Sequence, residues 1–327
     1  MKAIIYTQYG PPDVLQLAEV EQPTPKADEV LVKVYAAAAN PADWHMMRGA
    51  PFIFRLVAMG FPKPKNTRLG LDIAGRVEAV GSSVTQLRPG DAVFGETSAG
   101  GFAEYVCVPE NKLARKPTNV SFEEAAATPV VGFTALQGLR NFGHIQAGQK
   151  VLINGASGGI GTFAVQYARA VGAEVTGVCS TRNLDLVRSI GAMHLIDYTR
   201  EDFSRTGQRY DLIFDTVGNR SAAAYRRALS PNGRCVVAGF TTMSHMVIQV
   251  LFLGSLISKT SSQKIGLMGE SKPNPQDLLV IKELLETRQI VPVIDRRYPL
   301  HETAEAIRYL EAGHARGKVI ITVQAND

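Results

Sequence analysis

The run KVLINGASGGIGT at residues 150–162 constrains the fold of this chain more than any other stretch. Val151, Leu152 and Ile153 read as a short buried strand. Gly155, Gly158, Gly159 and Gly161 come next, and a helical pattern continues over 163–171. In that order, strand, glycine turn and helix let a pyrophosphate approach the first N–H groups of the helix, whose dipole favours an anion. The usual first glycine of the spacing is Ala156, with Gly155 just before it. Taken alone, such a cluster suits an ordinary turn equally well, so the next residues along the chain decide between the two.

They form an alternating series. Residues 174–179 (EVTGVC) read as a second buried strand, 183–190 as a second helix, 194–197 as a third strand, and 210–214 and 235–238 as later ones. Repeated βα units predict an α/β fold with a doubly wound parallel sheet, a Rossmann domain that binds a dinucleotide at its carboxyl edge. The N-terminal part differs. Residues 30–37 and 75–80 alternate like strands, and Pro89-Gly90-Asp91 and Gly100-Gly101 mark tight turns, which predicts a mostly β domain. Ser121, followed by Glu123 and Glu124, opens a helical stretch over 121–139 and marks the boundary. The expected division is 1–125 with 269–327 as one domain and 126–268 as the dinucleotide domain. Helices at 277–286 and 301–311 and a strand at 318–323 carry the chain back to the first domain.

With 327 residues, 45% hydrophobic and 20% charged, the chain has room for about two globular domains. The net charge of +5 is scattered, whereas a nucleic-acid surface needs a basic stripe, so no nucleic-acid partner is expected. Residues 1–6 are too short an apolar run for a signal peptide. The longest later run, 246–257, falls short of the roughly 20 residues of a membrane span, and is expected to be a buried or pocket-lining helix. Cys107, Cys179 and Cys235 are far apart and odd in number, which suits a reducing cytoplasm.

The motifs as a set resemble the medium-chain dehydrogenase/reductase superfamily, and within it the zinc-independent quinone oxidoreductase, zeta-crystallin-like branch. The resemblance rests on Asn40-Pro41-x-Asp43, Gly70-x-Asp72-x-Ala74-Gly75-x-Val77, Gly81 with Pro89-Gly90-Asp91-x-Val93, Gly101-Phe102-Ala103-Glu104-Tyr105, Gly132-Phe133-Thr134-Ala135, Gly158-Gly159-Ile160-Gly161 and Gly313-His314-x-x-Gly317-Lys318. It implies a GroES-like catalytic domain beside the Rossmann domain. In zinc-dependent members of the superfamily the metal ligands would stand at Asn40, at Leu71 with Asp72, and at Val130 or Val131. None of these is a Cys or His, and a tetrahedral zinc needs N or S donors, so no metal is expected. Without a Lewis acid, alcohol oxidation loses what stabilises the alkoxide, whereas hydride delivery to a quinone or conjugated carbonyl needs less help.

The choice of nicotinamide cofactor turns on the end of the second strand. NAD-selective folds carry Asp or Glu there to bind the ribose 2′-hydroxyl, and this chain has Ser180-Thr181-Arg182-Asn183. A 2′-phosphate is matched by the forked donors of an arginine, which favours NADPH. With Ala156, Ser157, Gly158, Gly159, Ile160 and Gly161, the cofactor residues from this stretch are Ser180, Arg182 and Asn183; in the bland alternative Ser180 is a helix N-cap and Arg182 a solvated first-turn residue. The resemblance adds Tyr198 along the adenosine phosphate, Thr134 near the nicotinamide phosphates or ribose, Val217 and Gly218 beside the ribose, Gly239, Phe240 and Thr241 near the carboxamide, and Lys318. Asp215 reads as a turn cap.

An acceptor oxygen gains charge as hydride arrives, so a donor should face it. Asn40 is the candidate, with an Asx-type turn before Pro41 as the equal alternative, and Asp43 stands beside it as a structural acceptor for the backbone or Arg48, or as a catalytic partner. Relatives often carry a tyrosine shortly after this motif; here Trp44 and His45 stand in that region, and solvent is a sufficient proton source. Phe52, Phe54, Met59, Phe240 and Met246 either line an apolar acceptor pocket or pack in cores. The expected function is therefore an NADPH-dependent, zinc-independent reductase of a quinone or α,β-unsaturated carbonyl. The other class is a non-catalytic NADPH-binding structural or regulatory protein. A short-chain reductase is excluded because no tyrosine has lysine four residues later. Residues 264–268 are expected at a sheet edge, open to pairing in a homodimer.

Overall fold

The computed structural model describes residues 1–324 and divides the chain into two units, Met1–Val130 with the chain from Pro273 onward, and Val131–Lys272. Both crossings lie a few residues beyond the expected ones. Residues 325–327, expected in the first domain, lie outside the described residues.

The second unit holds a six-stranded sheet in the spatial order His194–Asp197, Glu174–Cys179, Lys150–Asn154, Tyr210–Asp215, Leu229–Val237 and Lys264–Leu267, every neighbour parallel. Numbered along the chain this is 3-2-1-4-5-6, the Rossmann order, with its reversal between the first and fourth strands. Val151, Leu152, Ile153, Leu212, Ile213 and Phe214 are fully buried, as strands covered on both faces must be. The helix after the first strand runs Gly159–Ala170, starting earlier than the 163 expected, because the last glycines sit within its first turn. Residues 246–257 differ more from expectation. The helical segment Met246–Gly254 buries only Val250 and Gly254, while Val247, Ile248, Leu251 and Phe252 are exposed. Lys264–Leu267 ends the sheet, as expected.

The first unit is built on Glu29–Ala39, an eleven-residue strand that pairs antiparallel with Asp72–Val80, Tyr105–Pro109 and Lys318–Thr322. These belong to a seven-stranded sheet completed by Ala92–Glu96, Leu113–Arg115 and Ile294–Pro299. Val30, Val32, Val34, Ile73, Val93, Val319 and Ile321 meet in one core. The N-cap expected at Ser121 is present, with Ser121 Oγ accepting from Glu124 N at 3.1 Å and Glu124 reaching back to Ser121 N at 2.7 Å. Two register pairs place a polar cluster at one end of this sheet: Ala38 opposes Asp72, and Ala39 opposes Val319. Asn40, Asp72 and Lys318, distant in sequence, thus reach the same end.

Candidate active site

Within the second unit, the carboxyl ends of the first and fourth strands sit side by side, with Asn154 opposite Asp215. The glycine turn begins there. Gly155 has φ +82°, and a Cβ on Gly161 would lie 2.0 Å from the Gly155 carbonyl oxygen, so both glycines are required by the backbone itself. Gly158 is different: its φ is −81°, and a Cβ there would meet only the Gly155 oxygen at 3.5 Å. Neither strain nor crowding within the chain calls for glycine at 158, so the space it leaves suits a group from outside. Gly158 caps the Gly159–Ala170 helix without a side-chain bond, so the donors of the first turn face that space. Ala156 is buried beneath the turn.

Ser180 precedes the turn Thr181–Asn183 at the end of the second strand. Arg182 is exposed and Asn183 is buried. Asn183 Nδ2 donates to Ser157 Oγ at 2.9 Å and Ser180 Oγ at 3.3 Å, tying this turn to the glycine turn, while its buried Oδ1 has no partner among the described residues. An orphaned buried acceptor beside an uncapped helix suits a ligand hydroxyl such as a ribose's. The acid opposite Cys179 on the neighbouring strand is committed elsewhere. Asp197 accepts from Thr181 Oγ1, from Thr199 N at 3.0 Å and from Thr199 Oγ1 at 2.7 Å, and these bonds, the Thr181 one first, hold its carboxyl below the usual range. Tyr198 is exposed beside it.

Asp215 takes the capping role expected of it, accepting from Val217 N and Gly218 N at 2.8 Å each, from Asn154 Nδ2 at 2.9 Å and from Tyr225 Oη at 2.8 Å. Burial and this carboxylate push the Tyr225 hydroxyl far above its ordinary pKa, so it stays a donor. Val217 and Gly218 are thereby held at the strand end, with Gly239 close by: a Cβ on Gly218 would lie 2.0 Å from the Gly239 oxygen. Phe240 and Thr241 are exposed just beyond, and Thr134 Oγ1 donates to Ser271 Oγ at 3.3 Å.

The first unit brings Asn40 and Asp43 together with two residues the sequence treats otherwise, Asp72 and Lys318. Lys318 Nζ donates to Asn40 Oδ1 at 2.7 Å and to Asp72 Oδ2 at 2.9 Å. Asn40 Nδ2 donates to Asp72 Oδ2 at 2.9 Å and to the Ala38 carbonyl at 3.2 Å. Asp72 Oδ1 accepts from Val130 N at 2.8 Å. Asp43 accepts from Asn40 N at 2.8 Å and Gly70 N at 2.9 Å. Both amide hydrogens of Asn40 are thus spent inside the cluster, which corrects the expectation that they face an acceptor. Lys318, grouped by sequence with the cofactor residues, instead lies 4% exposed in this cluster. The physical reason is register: Lys318 opens its strand opposite Asn40, where a buried carboxylate matches its charge. One signal is available in the sequence, since Lys318 heads the otherwise uncharged strand KVIIT, where a lone charge needs a partner. Burial pushes the Asp43 carboxyl up to about 7, against the pull of its two N–H donors.

On the adjoining helix, Pro41–Arg48, Trp44 and His45 stack with ring centroids 3.6 Å apart, and burial lowers the His45 pKa, keeping the ring neutral. Phe52 and Phe54 are exposed rather than packed in a core. Among the described residues, no three of the His, Cys, Asp and Glu side chains converge as metal ligands would, and no helix is long and apolar enough to cross a membrane.

The alcohol dehydrogenase GroES-like domain matches residues 26–118 and the zinc-binding dehydrogenase model matches 190–321. The 2-methylene-furan-3-one reductase of Solanum lycopersicum is 36% identical, over 98% of this chain and 79% of that one. The chloroplastic NADPH-dependent alkenal/one oxidoreductase of Arabidopsis thaliana is 34% identical over the same shares. The solved quinone oxidoreductase of Coxiella burnetii covers 99% of both chains at 30% identity, with a TM-score of 0.87. This chain belongs to the zinc-independent quinone oxidoreductase branch of the medium-chain dehydrogenase/reductase superfamily. Like its relatives, this member of the branch is an oxidoreductase, and its GroES-like and Rossmann domains are the two units of the fold.

Proposed function

We propose that this oxidoreductase takes hydride from NADPH and delivers it to the conjugated carbonyl of an enone, alkenal or quinone. The observation that carries the cofactor choice is the turn after the second strand. It offers Ser180 and Arg182, and Asp197, opposite Cys179 on the neighbouring strand, is already occupied by Thr181 and Thr199. A 2′-phosphate meets donors there, where NAD-selective folds carry a carboxylate.

When bound, the nicotinamide supplies the hydride. The chain's own residues bind and orient. Ala156, Ser157, Gly158, Gly159, Ile160 and Gly161 offer the turn and the first helical N–H groups to the pyrophosphate. Asn183 Oδ1 accepts from a ribose hydroxyl, and Tyr198 flanks the adenosine phosphate. Thr134, Val217, Gly218, Gly239, Phe240 and Thr241 hold the nicotinamide end. Asn40 and Asp43 act as a rigid frame, and solvent supplies the proton. The acceptor class is that of the relatives, whose names specify a furanone, an alkenal/one and a quinone. A second copy is the partner proposed for the Lys264–Leu267 edge, and a reducing compartment such as the cytoplasm suits three free cysteines.

The test is oxidation of NADPH and of NADH, followed at the nicotinamide absorbance, against a naphthoquinone, a short alkenal and a saturated ketone, with and without chelator. NADPH-selective turnover of the first two, unaffected by chelator, is expected. Equal rates with NADH would overturn the cofactor assignment, and chelator-sensitive ketone reduction would overturn the acceptor class.

A further inference from the structure

The buried cation at the end of the Glu29–Ala39 strand has no part in the binding scheme proposed for the cofactor. Lys318 and Asp72 are both buried, and the ammonium bridges Asp72 Oδ2 and Asn40 Oδ1 at 2.9 and 2.7 Å. Removing two charges from water costs about as much as their attraction returns, so such a pair contributes little stability that apolar side chains of equal volume would not. What it does contribute is orientation. An asparagine amide can sit either way round with little change of shape, but an ammonium donates only to the oxygen end. With Oδ1 held by Lys318, Nδ2 is turned onto Asp72 and the Ala38 carbonyl. The backbone N–H of the same Asn40 is held by Asp43, whose other oxygen holds Gly70 N.

We propose that Lys318 is a positioning residue for the reduction: its ammonium is a tethered internal cation that locks the Asn40 amide, and with it the start of the Pro41–Arg48 helix carrying Trp44 and His45. The titratable and polar groups that bear on it are Asp72 from the neighbouring strand, and Asn40 and Asp43 from the strand end and helix start. The proposal rests on the chain being a nicotinamide-dependent reductase. It removes Lys318 from the cofactor contacts.

The decisive variants are Lys318→Met and the neutral pair Asp72→Asn with Lys318→Met, made in the full chain. In the pair, the amide introduced by Asp72→Asn keeps the Val130 N–H satisfied and donates to Asn40, which then turns its own amide over; the fold is kept and the orientation lost. Thermal midpoint, NADPH affinity by fluorescence, and kcat and KM for an alkenal across pH 5.5–8.5 are read for each. Lys318→Met is expected to lose thermal stability and about 100-fold in kcat, with NADPH affinity changed less than about twofold. The neutral pair is expected to regain part of the midpoint lost in Lys318→Met, since no charge is left buried alone, while kcat stays low and its pH profile is displaced. Should Lys318→Met fail to fold, the pair carries the test. Recovery of both midpoint and kcat in the pair would overturn the proposal in favour of a purely structural ion pair. Weakened NADPH binding at unchanged kcat would overturn it in favour of a cofactor contact. A wild-type protein that binds NADPH but turns over no acceptor would overturn the reductase reading itself, and this proposal with it.

Discussion

The polar groups of the two units are made of different materials. In the second unit the turns are fixed mostly by backbone: an uncapped helix start, a glycine that leaves space, and the Val217 and Gly218 N–H groups tied to Asp215. In the first unit the polar cluster is made of side chains, two carboxylates, an amide and an ammonium, all buried and mutually satisfied. A backbone site tolerates change wherever the turn is preserved. A buried ionic cluster does not, because each member is the solvent of the others. The largest effect should therefore come from the cluster. Asp72→Ala leaves the Lys318 ammonium and the Val130 N–H without their acceptor and is expected to cost about 3–5 kcal/mol in urea unfolding, with the slope unchanged. A loss below about 1 kcal/mol would show that water enters the cluster, and the two units would then no longer differ in this respect.

The glycine turn sharpens the comparison from the other side, because it separates glycines the fold requires from one the ligand requires. Gly161→Ala drives a methyl into the Gly155 carbonyl and is expected to cost about 1–3 kcal/mol of stability. Gly158→Ala meets nothing closer than 3.5 Å in the chain, and stability should stay within about 0.5 kcal/mol. Its NADPH dissociation constant should nonetheless rise about tenfold or more, as measured by nicotinamide fluorescence, because the methyl enters the space proposed for pyrophosphate. Unchanged binding would mean that the phosphates lie elsewhere. Arg182→Ala should lower kcat/KM for NADPH by about 10- to 100-fold and leave NADH untouched, a charge-assisted bond being worth about that much. An equal loss with both cofactors would place the arginine away from the 2′-phosphate.

The same contrast explains what the sequence disclosed. The second unit was legible because its determinants are local: the 174–179 and 194–197 strands have the expected ends, and the glycine spacing lies within one turn. Even there the helix start was misplaced, since low-propensity glycines fill its first turn, and the exposed apolar face of 246–257 carries no periodic sign distinguishing solvent from core. In the first unit Asn40 and Asp43 are visible as a motif, and the family resemblance sets Asp72 with Asn40 and Val130, but Lys318 is not among them. Lys318 joins them only through strand register, which pairs residue 39 with 319, and no local pattern records that pairing.

The smallest expected effect tests whether the cluster is as dry as its geometry implies. Asp43 is fully buried, and burial pushes its carboxyl from 3.8 up to about 7 although Asn40 N and Gly70 N both donate to it. Because the folded value lies above the unfolded one, its contribution to stability is complete below the unfolded pKa and is lost as pH rises through about 7. Other carboxylates, paired on the surface, slope the opposite way, so the wild-type profile alone hides the effect. The comparison is with Asp43→Asn, which keeps the size and one acceptor of the side chain and cannot titrate. The stability difference between the two proteins, measured in urea from pH 5 to 8, should shrink as pH rises, because the wild type alone must ionise a buried acid. A flat difference would mean that the two N–H donors hold the carboxylate in its ordinary range, and that this unit, like the other, is governed by backbone donors.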